Sequence, residues 1–305
     1  MTPATPRVSV IVATRDRPTA VTTAVASVLR QTQPVIELVV ADQSGDGATE
    51  AALEPFAGDA RLRHLRIAST GCSAARNRAI REARARILFI MDDDCELSPD
   101  TIPALLEGLE RFPTAGIVFG SVLPGPHDAS LGCVPACVQP TTQLARGILD
   151  KHRVEGLSAA MGILRSVWEE LSGFDEMLGA GAPLQSGAET DFTLRALLQG
   201  VHVLALPSLT ITHHGFRSWP ESIPLARRYW FGTGATFAKL LRRGHVSILV
   251  LLLRLGMRFA REQSPVAKSL RGSATRRVRL ASFVRGFGAG LTRRIDSRSQ
   301  HFVPR

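Results

Sequence analysis

Acidic residues almost vanish from the last quarter of this 305-residue chain: residues 226–305 hold Glu262 and Asp296 against 18 Arg and Lys. Residues 1–225 hold 25 acids and 19 bases, so the net +10 splits into a mildly acidic front and a strongly basic tail. Such a tail suits an anionic lipid surface or nucleic acid. The tail has few aromatics to stack bases and no nucleic-acid motif, which sets nucleic acid aside. Cysteine is scarce as well. Cys72, Cys95, Cys133 and Cys137 form no C-x-x-C pair and no zinc spacing, so the expectation is reduced thiols and no disulfide scaffold. No uninterrupted apolar run reaches the roughly 18 residues of a spanning helix. The N-terminus lacks a basic segment leading into an apolar one, so the chain reads as cytoplasmic. Lysine supplies 3 of 37 basic residues, a bias associated with high-GC bacterial genomes. What is present is an ordinary globular composition, 45% hydrophobic and 21% charged, enough for a real core.

The front alternates short apolar runs with helical patterns. Val8–Ala13, Glu37–Ala41 and Arg86–Met91 are near-continuous apolar strands of the kind buried on both faces, with Leu62–Ile67 weaker and Ala115–Val122 following. Helical spacing intervenes from Pro18 to Leu29, within Gly45–Phe56, over Ser73–Ala85, and from an N-cap at Ser98-Pro99 to Arg111. This β-α alternation predicts an α/β fold, a Rossmann-like, mostly parallel sheet flanked by helices. Leu123–Glu155 breaks the pattern. Leu157–Ile163, a helix over Arg165–Leu171, a Gly-rich loop at Gly179–Gly187, a helix to Leu198 and strands at Val201–Leu206 and Leu209–Thr212 resume it. After Trp219-Pro220 the chain reads as helical, with breaks near Gly244, Pro265 and Gly286–Gly290. Residues 1–219 are therefore expected to form a catalytic α/β domain and 220–305 a basic helical extension.

Ligands of such sheets sit at the carboxyl ends of the strands, where Thr14-Arg15-Asp16, Asp42-Gln43-Ser44 and Asp92-Asp93-Asp94 fall. Three adjacent carboxylates repel, and a divalent cation with hard oxygen ligands, Mg²⁺ or Mn²⁺, offsets that cost. A solvated acidic turn is the alternative. His213-His214 ends a strand beside Gly215; one imidazole completes a metal site, or both are ordinary satisfied side chains. Glu189 and Asp191 open a helix, where a carboxylate facing a cleft can deprotonate a hydroxyl. Ser186-x-x-Glu189 is equally a capping box, and Asp191 with Arg195 a plain i,i+4 pair. Gly71-x-Ser73-x-Ala75-Arg76-Asn77 places Arg76 at a helix N-terminus that could meet phosphate or ribose, or simply caps a basic surface helix.

Taken in order, VSVIVATRDRP, ELVVADQSGD, GCSAARNRAI, ILFIMDDDC, SGFDE, GAETDFTLRAL and THHGFR resemble the family 2 glycosyltransferases of GT-A fold, over residues 7–217. The resemblance implies metal-assisted, inverting transfer of a single sugar from a nucleotide-sugar. It places Thr14, Arg15 and Asp42 near the base and Arg76 near the nucleotide. Asp92 and Asp94 become the D-x-D acids, Asp94 meeting the metal most directly, with Asp93 beside the donor and His213 or His214 joining the metal. The family carries Glu-Asp ahead of T-D-F/L-x-x-R, and this chain has Ala188-Glu189. Glu189 is then the base and Asp191 the fallback. UDP- or dTDP-sugar is the family-level donor; the acceptor is a hydroxyl on a lipid-linked or polysaccharide chain. Two other readings remain: an inactive GT-A domain serving as a membrane-associated scaffold, and a nucleotidyltransferase. In the tail, VSILVLLLRLGMRFA with Arg254, Arg258 and Arg261 reads as an amphipathic helix lying on an anionic membrane, peripherally on the inner face, or packed on the domain or a dimer partner.

Overall fold

The computed structural model describes residues 5–31, 36–261 and 276–304. Four parallel strands, β1 (Val8–Thr14), β2 (Ile36–Asp42), β3 (Leu62–Arg66) and β4 (Ile87–Asp92), lie in the order β3-β2-β1-β4. They are joined through helices α1 (Pro18–Leu29), α2 (Ala48–Leu53) and α3 (Cys72–Glu82). In α1 a proline begins the first turn and Val21, Ala24, Val25 and Val28 form the buried stripe. The strand register aligns Thr14 with Asp42 and Ala13 with Asp92, which sets three polar strand ends on one edge.

The chain continues through β5 (Cys95–Leu97), α4 (Thr101–Arg111), β6 (Ala115–Pro124), β7 (Gly132–Cys133), β8 (Gln143–Ala145), β9 (Met161–Leu164) and α5 (Arg165–Glu170). Then come α6 (Ala188–Leu198), β10 (His202–His213) and β11 (Arg217–Ser218). Three helices end the described chain: α7 (Trp219–Arg242), α8 (Ser247–Arg261) and α9 (Arg276–Thr292). The full sheet runs β3-β2-β1-β4-β9-β6-β10-β5, with β8 also on β10. Because β9 is antiparallel to both β4 and β6, strands β6 and β10 point the same way as β1–β4. The sheet is thus mostly parallel, with β5, β8 and β9 reversed, and apolar cores fill both faces. Phe89, Phe119, Phe174 and Phe192 are fully buried there, each contributing about 1.5–3 kcal/mol.

Several sequence expectations are corrected. Ser98-Pro99 does not start α4; the helix begins at Thr101, and the Ser98 carbonyl accepts the Thr101 N–H in a preceding turn. The two strands expected at Val201–Leu206 and Leu209–Thr212 are one strand, β10, whose pairing with β6 shifts between Leu206 and Thr210. The break expected at Gly286–Gly290 is absent, and α9 runs through it. A Cβ at Gly286 would stand 1.9 Å from the Phe231 carbonyl, and one at Gly290 2.6 Å from that of Ala235, so these glycines let α9 lie close on α7. Gly244 does end α7, at φ 86°. The expected break at Pro265 lies outside the described residues, as do the side chains of Arg258 and Arg261.

The boundary drawn at residue 219 is crossed by packing. Ala235 of α7 and the C-terminal Phe302 belong to the same core as β1 and β4, and Phe237, Leu240, Ile248 and Leu251 close over Leu194 of α6.

Candidate active site

A cleft of about 720 Å³ opens at the carboxyl edge of the sheet. Thr14, Arg15, Arg17, Gln43, Arg76, Asp92, Asp93, Asp94, Glu189 and His213 line it. Beside it β5, three residues long, folds back from Asp94 to run antiparallel to the end of β10 with Cys95 opposite His213. That reversal carries Asp94 to His213, whose Nε2 lies 3.1 Å from Asp94 Oδ1. The Pro135 carbonyl accepts a hydrogen bond from His213 Nδ1 at 2.8 Å. This fixes the ring and presents Nε2 to the carboxylate, the arrangement of a metal-ligating histidine. Burial pulls the His213 pKa down, but the Asp94 hydrogen bond and charge outweigh it and the net shift is upward.

The three aspartates have three environments. Asp92 is partly exposed and accepts from Arg76 Nη2 at 2.7 Å. Asp93 accepts from Thr14 Oγ1 at 2.7 Å and Arg17 Nη1 at 2.5 Å, yet burial prevails over both donors and pushes it up to about 6. Asp94 accepts from Arg17 Nη2 at 2.7 Å. Burial opposes its charge too, but His213 and Arg17 together hold it below the usual carboxylate range. Asp94, Cys95 and His213 offer ligand atoms within 4.8 Å of one another. The carboxylate oxygen and imidazole nitrogen are a donor set that fits a divalent cation, and burial raises the Cys95 thiol well above its ordinary value. The backbone leaves room for it: a Cβ at Gly215 would lie 2.5 Å from Asp94 Oδ2 and 2.8 Å from His213 Nε2.

Glu189 sits in the first turn of α6 and faces the same cleft. Among the described residues no cation pairs with it within 4 Å, and burial raises its pKa against the pull of Arg76 and Lys151. The capping box with Ser186 does not form, because Gly187, left-handed at φ 89°, is the N-cap and no side chain caps the helix. Asp191, the fallback base of the sequence analysis, stands in a buried ion pair. It is fully buried, outside the cleft lining, between Arg195 Nε at 2.8 Å and Lys239 Nζ at 2.7 Å. His214 turns away to Glu96 at 3.0 Å and does not line the cleft. Asp42 is buried, accepting from Ser44 N–H at 2.9 Å and facing His64 Nε2 at 3.1 Å; its neighbour Gln43 lines the cleft in its place.

The glycosyl transferase family 2 profile matches residues 9–132. Over those residues, fewer than half of the chain, the sequence is similar to glycosyltransferase family 2. The mannosyltransferase PcManGT of Pyrobaculum calidifontis, solved with GDP-Man and Mn²⁺, has a TM-score of 0.60 at 19% identity over 94% of this chain and 87% of that one. S. aureus TarS 1–349, solved with UDP-GlcNAc, has a TM-score of 0.59 at 17% identity over 76% and 66%. Both likenesses show the GT-A fold. The O-antigen biosynthesis protein RfbC of Myxococcus xanthus is 28% identical over 249 residues, 76% of this chain but 19% of that protein's length.

The cleft also holds residues that the motifs did not single out. Arg17 lies in the same TRDRP run as Thr14 and Arg15 and bridges two aspartates. Arg217 stands 3.9 Å from Asp94 Oδ2. Leu225, Arg228 and Tyr229 reach the cleft from α7, beyond the region where family motifs give a signal. Their placement follows from Gly232, whose missing side chain lets α7 lie on the Ser186 backbone, where a Cβ would be 2.2 Å from the carbonyl oxygen.

Proposed function

We propose that this chain transfers one sugar, with inversion, from a nucleoside-diphosphate sugar to a hydroxyl acceptor. The observation that carries the reading is Glu189: a carboxylate free of ion pairs among the described residues, with a raised pKa, in the cleft that Asp92, Asp94 and His213 also line. Glu189 takes the acceptor proton as the hydroxyl attacks the anomeric carbon opposite the departing diphosphate, and its raised pKa suits it to hold that proton. Thr14, Arg15 and the Asp42-Gln43 strand end receive the nucleoside, and Arg76 steadies Asp92 beside the diphosphate. Asp94 and His213, with Asp92, would hold Mn²⁺ or Mg²⁺. That ion, when bound, supplies positive charge for the leaving diphosphate. Asp93 is spent on Thr14 and Arg17 and braces the cleft.

The complexes of the structural neighbours, UDP-GlcNAc and GDP-Man, support a nucleotide-sugar donor here without choosing the base. The O-antigen relative supports an acceptor hydroxyl on a polysaccharide or lipid-linked chain. A peripheral seat on an anionic membrane is favoured by a separate observation, the solvent-facing Val246, Leu249 and Leu253 at the basic end of the chain.

The test is nucleoside diphosphate release from a panel of UDP-, dTDP- and GDP-sugars with Mn²⁺ and candidate acceptors. Glu189→Gln is expected to keep the fold and donor binding while losing about a hundredfold or more of kcat. Turnover unchanged in that variant would overturn the base assignment. Absence of release by the wild type from every donor would favour the inactive-scaffold reading.

A further inference from the structure

Arg17 is the N-cap residue of α1, with Pro18 fixing the turn that follows it, and its guanidinium spans Asp93 Oδ1 and Asp94 Oδ2. It is about 38% exposed on the cleft side, while the two carboxylates beneath it are nearly buried. Both oxygens of Asp94 are thereby engaged, Oδ1 by His213 and Oδ2 by Arg17. The edge that a divalent cation would use is the edge the guanidinium holds.

We propose that Arg17 competes with a divalent cation for Asp94 and, once displaced, turns its fork to the donor diphosphate, so that cation and nucleotide bind cooperatively. The inference rests on the metal reading of the cleft given above and adds an order to it. A cation added alone must expel a guanidinium from two carboxylates and then lie beside it, cation against cation. Added with a diphosphate, it supplies Arg17 with a new anion of matching geometry, because a guanidinium fork suits phosphate as well as carboxylate. The move requires no backbone change: Arg17 already lines the cleft with Thr14 and Arg15, and its side chain has the rotatable bonds to swing. The same contact keeps Asp93 and Asp94 from repelling each other before the donor arrives.

The test is Mn²⁺ binding followed by the electron paramagnetic resonance signal of the free ion, on the full chain, with Mn²⁺ alone and with added UDP or GDP. Wild type should bind Mn²⁺ weakly alone and at least ~10-fold more tightly with the nucleotide that fits, within the usual range of coupling between sites. Arg17→Met should bind Mn²⁺ alone about 10-fold more tightly than wild type, with most of the nucleotide-dependent gain lost. If Arg17→Met fails to fold, Arg17→Lys, which keeps charge but loses the fork, should show the same change to a smaller degree. Mn²⁺ affinity that is unchanged or weaker in the variants, with normal metal and nucleotide binding by wild type, overturns this inference alone. A wild type that binds no Mn²⁺ with or without either nucleotide overturns the metal reading and this inference together.

Discussion

Asp93 and Asp94 are adjacent, both nearly buried, and shifted in opposite directions, Asp93 up to about 6 and Asp94 downward. Burial penalises both charges; the imidazole of His213 tips only Asp94 towards ionisation. Asp94→Asn should therefore abolish turnover and remove the Mn²⁺-dependent thermal stabilisation given by a nucleoside diphosphate, whereas Asp93→Asn should retain it. Stabilisation that survives in Asp94→Asn would sink the assignment. Glu189 permits a signed pH prediction. Its pKa is raised in the folded state, so it favours folding below its unfolded pKa and that contribution is lost as pH rises through the folded one. Glu189→Gln should be at least as stable as wild type at neutral pH, with the gain shrinking towards pH 4, in thermal melts across that range. Activity runs the other way, since a base must be deprotonated: kcat should rise with pH through the raised Glu189 pKa. The row of Thr14, Asp42 and Asp92 was legible in sequence because each follows an apolar run too continuous to be anything but a buried strand. An imidazole completing the site was one of two open readings of His213-His214, and its meeting with Asp94 was not legible from periodicity, because a three-residue reversed strand leaves none to read. Choosing His213 over His214 required knowing which neighbour faces the cleft.

Helices α6 and α7 are locked by buried charge. Lys239 Nζ is 2.7 Å from both Asp175 Oδ2 and Asp191 Oδ1, Arg195 pairs with Asp191 from the other side, and the Phe302 N–H donates to Asp175 at 2.9 Å. All four charged side chains are buried to within about 2%. Lys239→Met leaves two carboxylates short of their shared cation, and a loss of about 3–5 kcal/mol is expected in chemical denaturation. The glycines of α9 give a paired prediction. Gly286→Ala gains about 0.5–1 kcal/mol of helix propensity but drives a methyl into the Phe231 carbonyl, for a net loss of about 1–3 kcal/mol. Gly288→Ala meets nothing within 4 Å and should be neutral or slightly stabilising. Equal effects of the two substitutions would show that α9 does not sit on α7 in this way. Propensity is local, so these glycines predict a helix break from sequence, while in the fold they permit a close approach to a helix some fifty residues away. Lys239 was invisible for a related reason: a lone lysine in a basic tail reads as solvated until its partners, Asp175 and Asp191, are brought to it by the fold.

At the scale of the whole molecule, charge and apolar surface coincide. The basic end carries α8, whose Ile248 and Leu251 pack on the body while Val246, Leu249, Val250, Leu253 and Met257 face solvent, Leu253 at 67% exposure. On α9, Leu280, Val284 and Leu291 are exposed too. No described helix is long and apolar enough to cross a membrane. The stripe 246, 249/250, 253 and 257 follows helical spacing, so it forms one face, and a solvent-facing apolar stripe within a strongly basic segment matches the headgroup boundary of an anionic bilayer. One face of this helix packs on the domain and the other is left outward. Removing the tail from Gly244 onward would be a poor test, since α9 and Phe302 are built into the fold. Leu249→Gln with Leu253→Gln changes only exposed positions and should leave the melting temperature unchanged. The full chain is expected to co-sediment with vesicles containing phosphatidylglycerol, increasingly with anionic content and less as salt is raised, since each Arg near the surface adds about 1 kcal/mol that screening removes. The double variant should bind at least ~10-fold more weakly, because each leucine side chain withheld from the interface forfeits on the order of 2 kcal/mol. Absence of vesicle binding at low salt, or binding undiminished in the double variant, would remove the membrane from the proposal and leave the stripe as a contact for another protein.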